Sequence, residues 1–115
     1  MQTYQGHCHC GAVHFEFESS LNLPMQCDCS YCIRRATTFQ MEPIANFKLL
    51  KGMDGLTRYG SKSISDHFFC KVCGISTFTY LKEAGKVIGA VVNLACLDGV
   101  DTTQMKPLIV DGRNI

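Results

Sequence analysis

Most of what would mark a special class of chain is missing here. No segment of ten or more residues runs at helical period, so a helical bundle is excluded. Long runs of like charge and low-complexity tracts are absent, which excludes a disordered tail or a polyelectrolyte arm. No repeat of solenoid period occurs. The longest apolar stretch, near Val87 to Leu97, is broken by glycine and asparagine and is far too short to span a bilayer. The opening "MQTYQGHCHC" has neither a basic start nor an apolar core and does not read as a signal peptide. The formal charge of +1 leaves no electrostatic case for nucleic acid or an anionic membrane. The expectation is a cytoplasmic protein with reduced thiols.

What is present is cysteine, eight residues in a chain of 115. That length suits one domain over residues 1–115, with a core small enough to benefit from a metal staple. Four disulfide bridges would be the reading for a secreted chain. A bridge within C-x-C would be strained, and no export signal accompanies it, so metal binding is the better account. Seven thiolates would outweigh the charge of two Zn²⁺ ions, so a loaded protein would be mildly acidic.

The rest of the pattern is β. "GAVHFEFESS" alternates, with Val13, Phe15 and Phe17 on one face and His14, Glu16 and Glu18 on the other. Asn22 and Pro24 mark a loop, "MQCDC" is short and extended, and "SYCIRRA" suits one helical turn begun by Ser30. Strands are expected over "FKLLKG" (Phe47–Gly52), "LTRYGS" (Leu56–Ser61), "DHFFC" and "STFTYL" (Ser76–Leu81). "KVIGAVVNL" (Lys86–Leu94), the most apolar run, should lie centrally. The expectation is a mostly-β domain of six to eight short strands.

The cysteines fall into three elements. "CHCG" places Cys8 and Cys10 on one side of an extended chain, since residues i and i+2 share a face. "CKVCG" is a zinc knuckle, Cys70 and Cys73, with Gly74 suited to the left-handed position that closes it. A redox pair is the other use of C-x-x-C, but no βαβ pattern surrounds this one. Cys8, Cys10, Cys70 and Cys73 make a closed four-cysteine set that contributes to folding. "CDCSYC" then leaves Cys27, Cys29 and Cys32 to bind an ion of their own. Three thiolates with one open position match a catalytic rather than a structural site. A fourth side chain, from Cys96, His67, His7 or Asp28, would close it. Cys96 reads otherwise as a small buried residue or an auxiliary thiol.

In order along the chain stand C-x-C-G, C-x-C-S-x-C-x-R, F-x-L-L-x-G, H-x-F-C-x-x-C-G and C-L-D, with "DGRNI" at the close. This pattern resembles the glutathione-dependent formaldehyde-activating enzyme and centromere protein V family. The resemblance implies a small zinc-stabilised β-sheet domain of Mss4-like (β-tent) architecture. It implies a structural site at Cys8, Cys10, Cys70 and Cys73, a catalytic zinc at Cys27, Cys29 and Cys32, and thus two Zn²⁺ per chain. The implied activity is carbon–sulfur lyase on thiol–aldehyde adducts, with glutathione and formaldehyde meeting as S-hydroxymethylglutathione. Many members have glycine at Thr38, arginine at Ala95 and tryptophan at Ile115; the first two changes would alter a pocket.

Arg34 and Arg35 suit bidentate pairing with substrate carboxylates, or else a solvated turn. His67 suits proton transfer, or else a strand position near the structural site. The alternative function is a non-enzymatic zinc module binding a protein or nucleic acid. Lys48, Lys51, Arg58 and Lys62 offer that reading only a thin basic patch.

Overall fold

The computed structural model describes residues 1–60 and 63–114, so Ser61, the end of an expected strand, Lys62 and Ile115 lie outside the described residues. Among the described residues are ten strands, mostly β as expected, in two sheets. The smaller sheet is antiparallel, in the order β1 (Gln2–His7), β2 (His14–Ser19), β5 (Phe47–Lys51). The larger begins with β10 (Leu108–Val110), β3 (Met25–Cys27) and β4 (Phe39–Pro43). It continues through β9 (Lys86–Asn93), β8 (Ser76–Glu83), β7 (Ser65–Cys70) and β6 (Leu56–Tyr59). As its composition predicts, β9 is the middle strand of this sheet. All its pairings are antiparallel except β10 with β3.

The strands beyond those expected are β1, β4 and β10, with β3 the short extended piece. "QTYQGH" lacks an apolar alternation, "FQMEP" alternates but turns polar Gln40 to the core and leaves Met41 exposed, and "LIV" is too short to read alone; each is held by its partner strand. Among the described residues, no helix is long and apolar enough to cross a membrane.

The two sheets face each other over an aromatic core. Val13, Phe15 and Phe17 are fully buried, as the alternation of β2 requires. Phe15 meets Phe47 of β5 and Phe78 of β8 at ring-centroid distances of 5.4 and 5.9 Å. Phe47 and Phe78 lie 4.6 Å apart. Such tilted and edge contacts contribute beyond simple area burial.

Cross-strand register separates the two faces of the larger sheet. Gln40, Val92, Phe78 and Phe68 are successive partners, and Phe78 places that row against the core. Met41, Val91, Thr79, His67 and Tyr59 are also successive partners, on the opposite face. The loop from Cys27 into the single helical turn α1 (Cys32–Arg35) crosses this second face.

Candidate metal centres and the adjoining cleft

The first cluster joins the end of β1 to the end of β7. The sulfurs of Cys8, Cys10, Cys70 and Cys73 lie within 4.8 Å of one another. Cys8 to Cys10 is 3.7 Å and Cys10 to Cys70 is 3.6 Å. Four thiolates around zinc at about 2.3 Å make a tetrahedron with edges of about 3.8 Å, so the set fits that ion. Backbone N–H groups of Val13 and Val72 point at the sulfurs of Cys8 and Cys70, each 3.4 Å away. The knuckle closes with Gly74 N–H donating to the Cys70 carbonyl at 2.8 Å, and Gly74 takes the left-handed φ of 79°. Burial pushes the Cys73 thiol up, but N–H groups of Cys10 and Ile75 and hydrogen bonds from Cys70 and Cys8 outweigh it. The thiol settles at about 6. Cys10, despite the Ala12 backbone contact that lowers it, is pushed up to about 11 by burial and its sulfur neighbours, so Cys73 is the readier of the two to serve as a thiolate ligand.

The second cluster is local. Cys27 ends β3, Cys29 lies in the loop and Cys32 opens α1, and their three sulfurs also lie within 4.8 Å of one another. Three donors point into the set. Cys29 N–H lies 3.5 Å from Cys27 Sγ, Cys32 N–H 3.3 Å from Cys29 Sγ, and Arg35 Nη2 3.4 Å from Cys32 Sγ. The expected Ser30 cap is corrected here. The helical turn follows Tyr31 without a side-chain cap, and Cys29 Sγ takes the Cys32 N–H.

Among the described residues no fourth ligand joins the trio. Cys96 sits in the core beside the first cluster, its thiol donating to the Ser76 carbonyl at 3.6 Å. Burial, then the charges of Cys8 and Cys73, push that thiol up to about 12, so Cys96 is a neutral core residue. His7 bonds Asp98 at 3.1 Å, beside Cys8 and Cys96. Asp28 turns away to accept N–H groups of Gly112 and Arg113 at 2.8 and 3.1 Å. His67 has hydroxyl partners at both nitrogens, Thr79 Oγ1 at 2.8 Å from Nδ1 and Ser65 Oγ at 3.4 Å from Nε2.

His67 nevertheless belongs to this region, not to the surroundings of the four-cysteine set. It lines a cleft of about 390 Å³ together with Cys27, Cys29 and Cys32. The floor is the outer face of the larger sheet, including Phe39, Met41, Val91 and Thr79; Ile64 and Leu81 stand at the margin. Tyr31 leans over one side, its ring 4.5 Å from His67 and 5.1 Å from Tyr59. The Arg35 guanidinium lies 5.0 Å from the Tyr31 centroid. Burial, then the Arg35 charge, lowers His67 to about 4 and leaves it neutral at pH 7.

The other predicted residues separate. Arg34 is exposed and donates to the Ser30 carbonyl at 2.6 Å, while Arg35 turns inward to Cys32 and to Ser76 Oγ at 3.2 Å. Thr38 is buried, accepting from Gln26 Nε2 at 3.0 Å, and Ala95 lines the cleft by Cys8 and Cys96. Neither departure therefore shapes the cleft beside the trio. The basic patch disperses: Lys48 and Lys51 lie on β5, Arg58 on β6 of the other sheet, where it pairs with Asp66.

Sequence reasoning missed Tyr31, Tyr59, Asp28 as a clamp, and Gly112. A Cβ at Gly112 would run into Cys27 Sγ and lie 3.0 Å from Cys29 Cβ. The retained signals were "DGRN" near the chain's end and the tyrosine inside the cysteine motif, but their contacts are tertiary.

A mostly-β domain with one four-sulfur cluster and one three-sulfur cluster beside a cleft is consistent with the Mss4-like class of small metal-binding folds. Residues 3–110 match the model of the glutathione-dependent formaldehyde-activating enzyme family, and the chain belongs to that family. It is also similar to a protein of known structure from Rhodobacter sphaeroides, at 30% identity and a TM-score of 0.80, over 91% of this chain and 97% of that one.

Proposed function

We propose that the protein is a zinc-dependent carbon–sulfur lyase acting on thiol–aldehyde adducts, with S-hydroxymethylglutathione as the adduct its family implies. The observation that carries this reading is the contrast between the two clusters. Cys8, Cys10, Cys70 and Cys73 bring together four sulfurs at spacings that suit a tetrahedral ion, whereas Cys27, Cys29 and Cys32 converge beside a cleft without a fourth protein ligand among the described residues. Two zinc ions per chain, one in each set, fit that difference.

A zinc ion held by three thiolates would offer a Lewis-acid position that accepts a thiol in its deprotonated form. The chain's own groups do the rest. Cys29 N–H, Cys32 N–H and Arg35 Nη2 neutralise the sulfurs and fix the loop. In the synthetic direction the substrate sulfur adds to the aldehyde carbon, a C–S bond forms, and the carbonyl π pair moves to oxygen, which takes a proton. Cleavage is the reverse. Neutral His67, beside the trio, is suited to hydrogen-bond that oxygen through Nε2, whose contact with Ser65 Oγ is a long 3.4 Å, rather than to carry charge. Exposed Arg34, in the neighbouring cleft with Tyr59, suits a carboxylate of a thiol such as glutathione, while Arg35 beside it is held by Cys32 and Ser76.

The test follows adduct formation from glutathione and formaldehyde with the two-zinc protein. The expected result is acceleration over the uncatalysed rate, lost in Cys27→Ala with folding retained. No acceleration across several thiols would overturn the proposal. The non-enzymatic alternative loses its footing on nucleic acid, because Arg58 is neutralised by Asp66 and the lysines of β5 lie on another sheet.

A further inference from the structure

We infer that the cleft beside Cys27, Cys29 and Cys32 is a binding site for the carbon chain of the aldehyde, and that the adducts best accepted derive from aliphatic aldehydes larger than formaldehyde. This rests on the thiol–aldehyde reading of the trio for its chemistry, though the cleft's preference for apolar chains stands on its own walls.

Formaldehyde leaves one carbon on the substrate sulfur, and one carbon does not occupy a cleft of about 390 Å³. The walls are the wrong material for the remainder of glutathione. Phe39, Met41, Val91 and Leu81 line it, from three neighbouring strands of the outer sheet face. Among the described lining residues Arg35 is the only Lys, Arg, Asp or Glu, and its guanidinium is engaged with Cys32 and Ser76. Apart from Arg35 and the cysteines, the polar lining is Tyr31 with Ser65, His67 and Thr79, and the last three already bond one another. Two carboxylates and an ammonium placed there would lose hydration for little in return. An alkyl chain loses nothing and covers apolar wall.

The site also has a built direction. The sulfurs stand at one side, and the apolar floor runs away from them across β4, β9 and β8. A thiol held at the trio therefore points its sulfur substituent along that floor. Its peptide body stays toward the more open side, where Arg34, Arg35 and Tyr59 line a second cleft. The general reaction is RSH + R′CHO giving RS–CH(OH)R′, with atoms balanced as for formaldehyde; only R′ changes. Met41 and Ile64 are 47% and 63% exposed, so apolar side chains stand in water until a chain covers them.

Two measurements separate this inference from the lyase reading. The first titrates the two-zinc protein with 1-alkanethiols from ethanethiol to hexanethiol by calorimetry, which needs neither glutathione nor turnover. Affinity is expected to rise about fourfold per methylene, with a shallower slope in Met41→Ser and Leu81→Ser. A flat series, or no binding of hexanethiol, overturns the inference. The second compares kcat/KM for formaldehyde, propanal and hexanal with glutathione. A rise along the series supports the inference; turnover of formaldehyde alone overturns it and leaves the lyase reading standing. A rising alkanethiol affinity without turnover of any aldehyde keeps the apolar-chain site and removes the lyase.

Discussion

Asp28 and Gly112, 84 positions apart, are joined by a 2.8 Å hydrogen bond from the Gly112 N–H to Asp28 Oδ1. Asp28 stands between two cysteines of the trio, and Gly112 packs against the same two, Cys27 and Cys29. Arg113 adds its backbone N–H at 3.1 Å and its Nε at 3.2 Å to the same carboxylate. The Arg113 N–H, helped by the Gly112 N–H against burial, holds the Asp28 carboxyl below the usual range. Parallel pairing of β10 with β3 sets Val110 opposite Cys27 and delivers the strap to this position.

The strap should therefore set the metal affinity of the trio. In Gly112→Ala, the new methyl and Cys27 Sγ cannot both keep their places. The trio's metal affinity is expected to fall tenfold or more, the usual penalty for lost outer support. Asp28→Ala should act in the same direction. Competition with a chromophoric chelator reads this site by site, and the four-cysteine set should hold its ion unchanged in both variants. Equal metal affinity in Gly112→Ala and wild type would show that the strap does not support the trio.

The two clusters should respond differently to losing one ligand. Cys70 is fully buried at the end of β7 and lies with Cys8 and Cys10 from beyond β1, so a metal held there would contribute to folding. Cys32 belongs to a local set within six positions. Cys70→Ala is expected to lose cooperative thermal unfolding, whereas Cys32→Ala should melt cooperatively with one metal fewer. Metal analysis beside circular dichroism melts checks both, and an unfolded Cys32→Ala would contradict the division.

A stability prediction comes from Asp66, which joins Arg58 to Lys82 at 2.7 Å. Hydrogen bonding from Lys82, with Arg58 and against burial, holds this carboxyl below its ordinary value. The folded pKa is thus lower than the unfolded one. The contribution is complete above the unfolded pKa, near 4, and fades as pH falls through the folded value. Asp66→Asn should lower the urea midpoint at pH 7, and the gap from wild type should close on acidification below about pH 4. A gap that stays constant over that range would remove the ionic explanation.

Much of this molecule was legible beforehand, for physical reasons. Phe15 and Phe17 announced β2 because a half-buried strand must alternate, and both are fully buried. Cys70, Cys73 and Gly74 announced a knuckle because only a tight turn brings two sulfurs together, and Gly74 adopts the left-handed conformation. What was hidden needed distant partners. His67 sits three positions before Cys70, which suggested the structural site, but strand alternation turns it to the outer face against Tyr31. Cys96 was left open between ligand and core residue, and its place beside the other cluster decides for the core. The strap was unreadable because a three-residue strand carries no periodic signal.

Arg35 admits two roles that one experiment distinguishes. Its Nη2 donates to Cys32 Sγ at 3.4 Å and its Nη1 to Ser76 Oγ at 3.2 Å, so it can act through the trio. It also lines both clefts that meet at Tyr31, where a substrate carboxylate would lie. Burial pushes the Cys32 thiol up to about 11, so its sulfur is charged only as a metal ligand. A hydrogen bond to a charged group contributes about 1.5–3 kcal/mol, and with Cys32 so bound Arg35→Gln should lower kcat/KM by about tenfold to a hundredfold if the sulfur contact is what matters. That loss would be equal for glutathione and for a small thiol without carboxylates, and would appear in kcat. If Arg35 instead pairs with a carboxylate, the loss falls on glutathione alone and mainly in KM. The geometry favours the first outcome, because both terminal nitrogens already have partners within the protein. Restoration of glutathione turnover by Arg35→Lys would overturn it, since a single ammonium cannot reach Cys32 and Ser76 as the planar fork does.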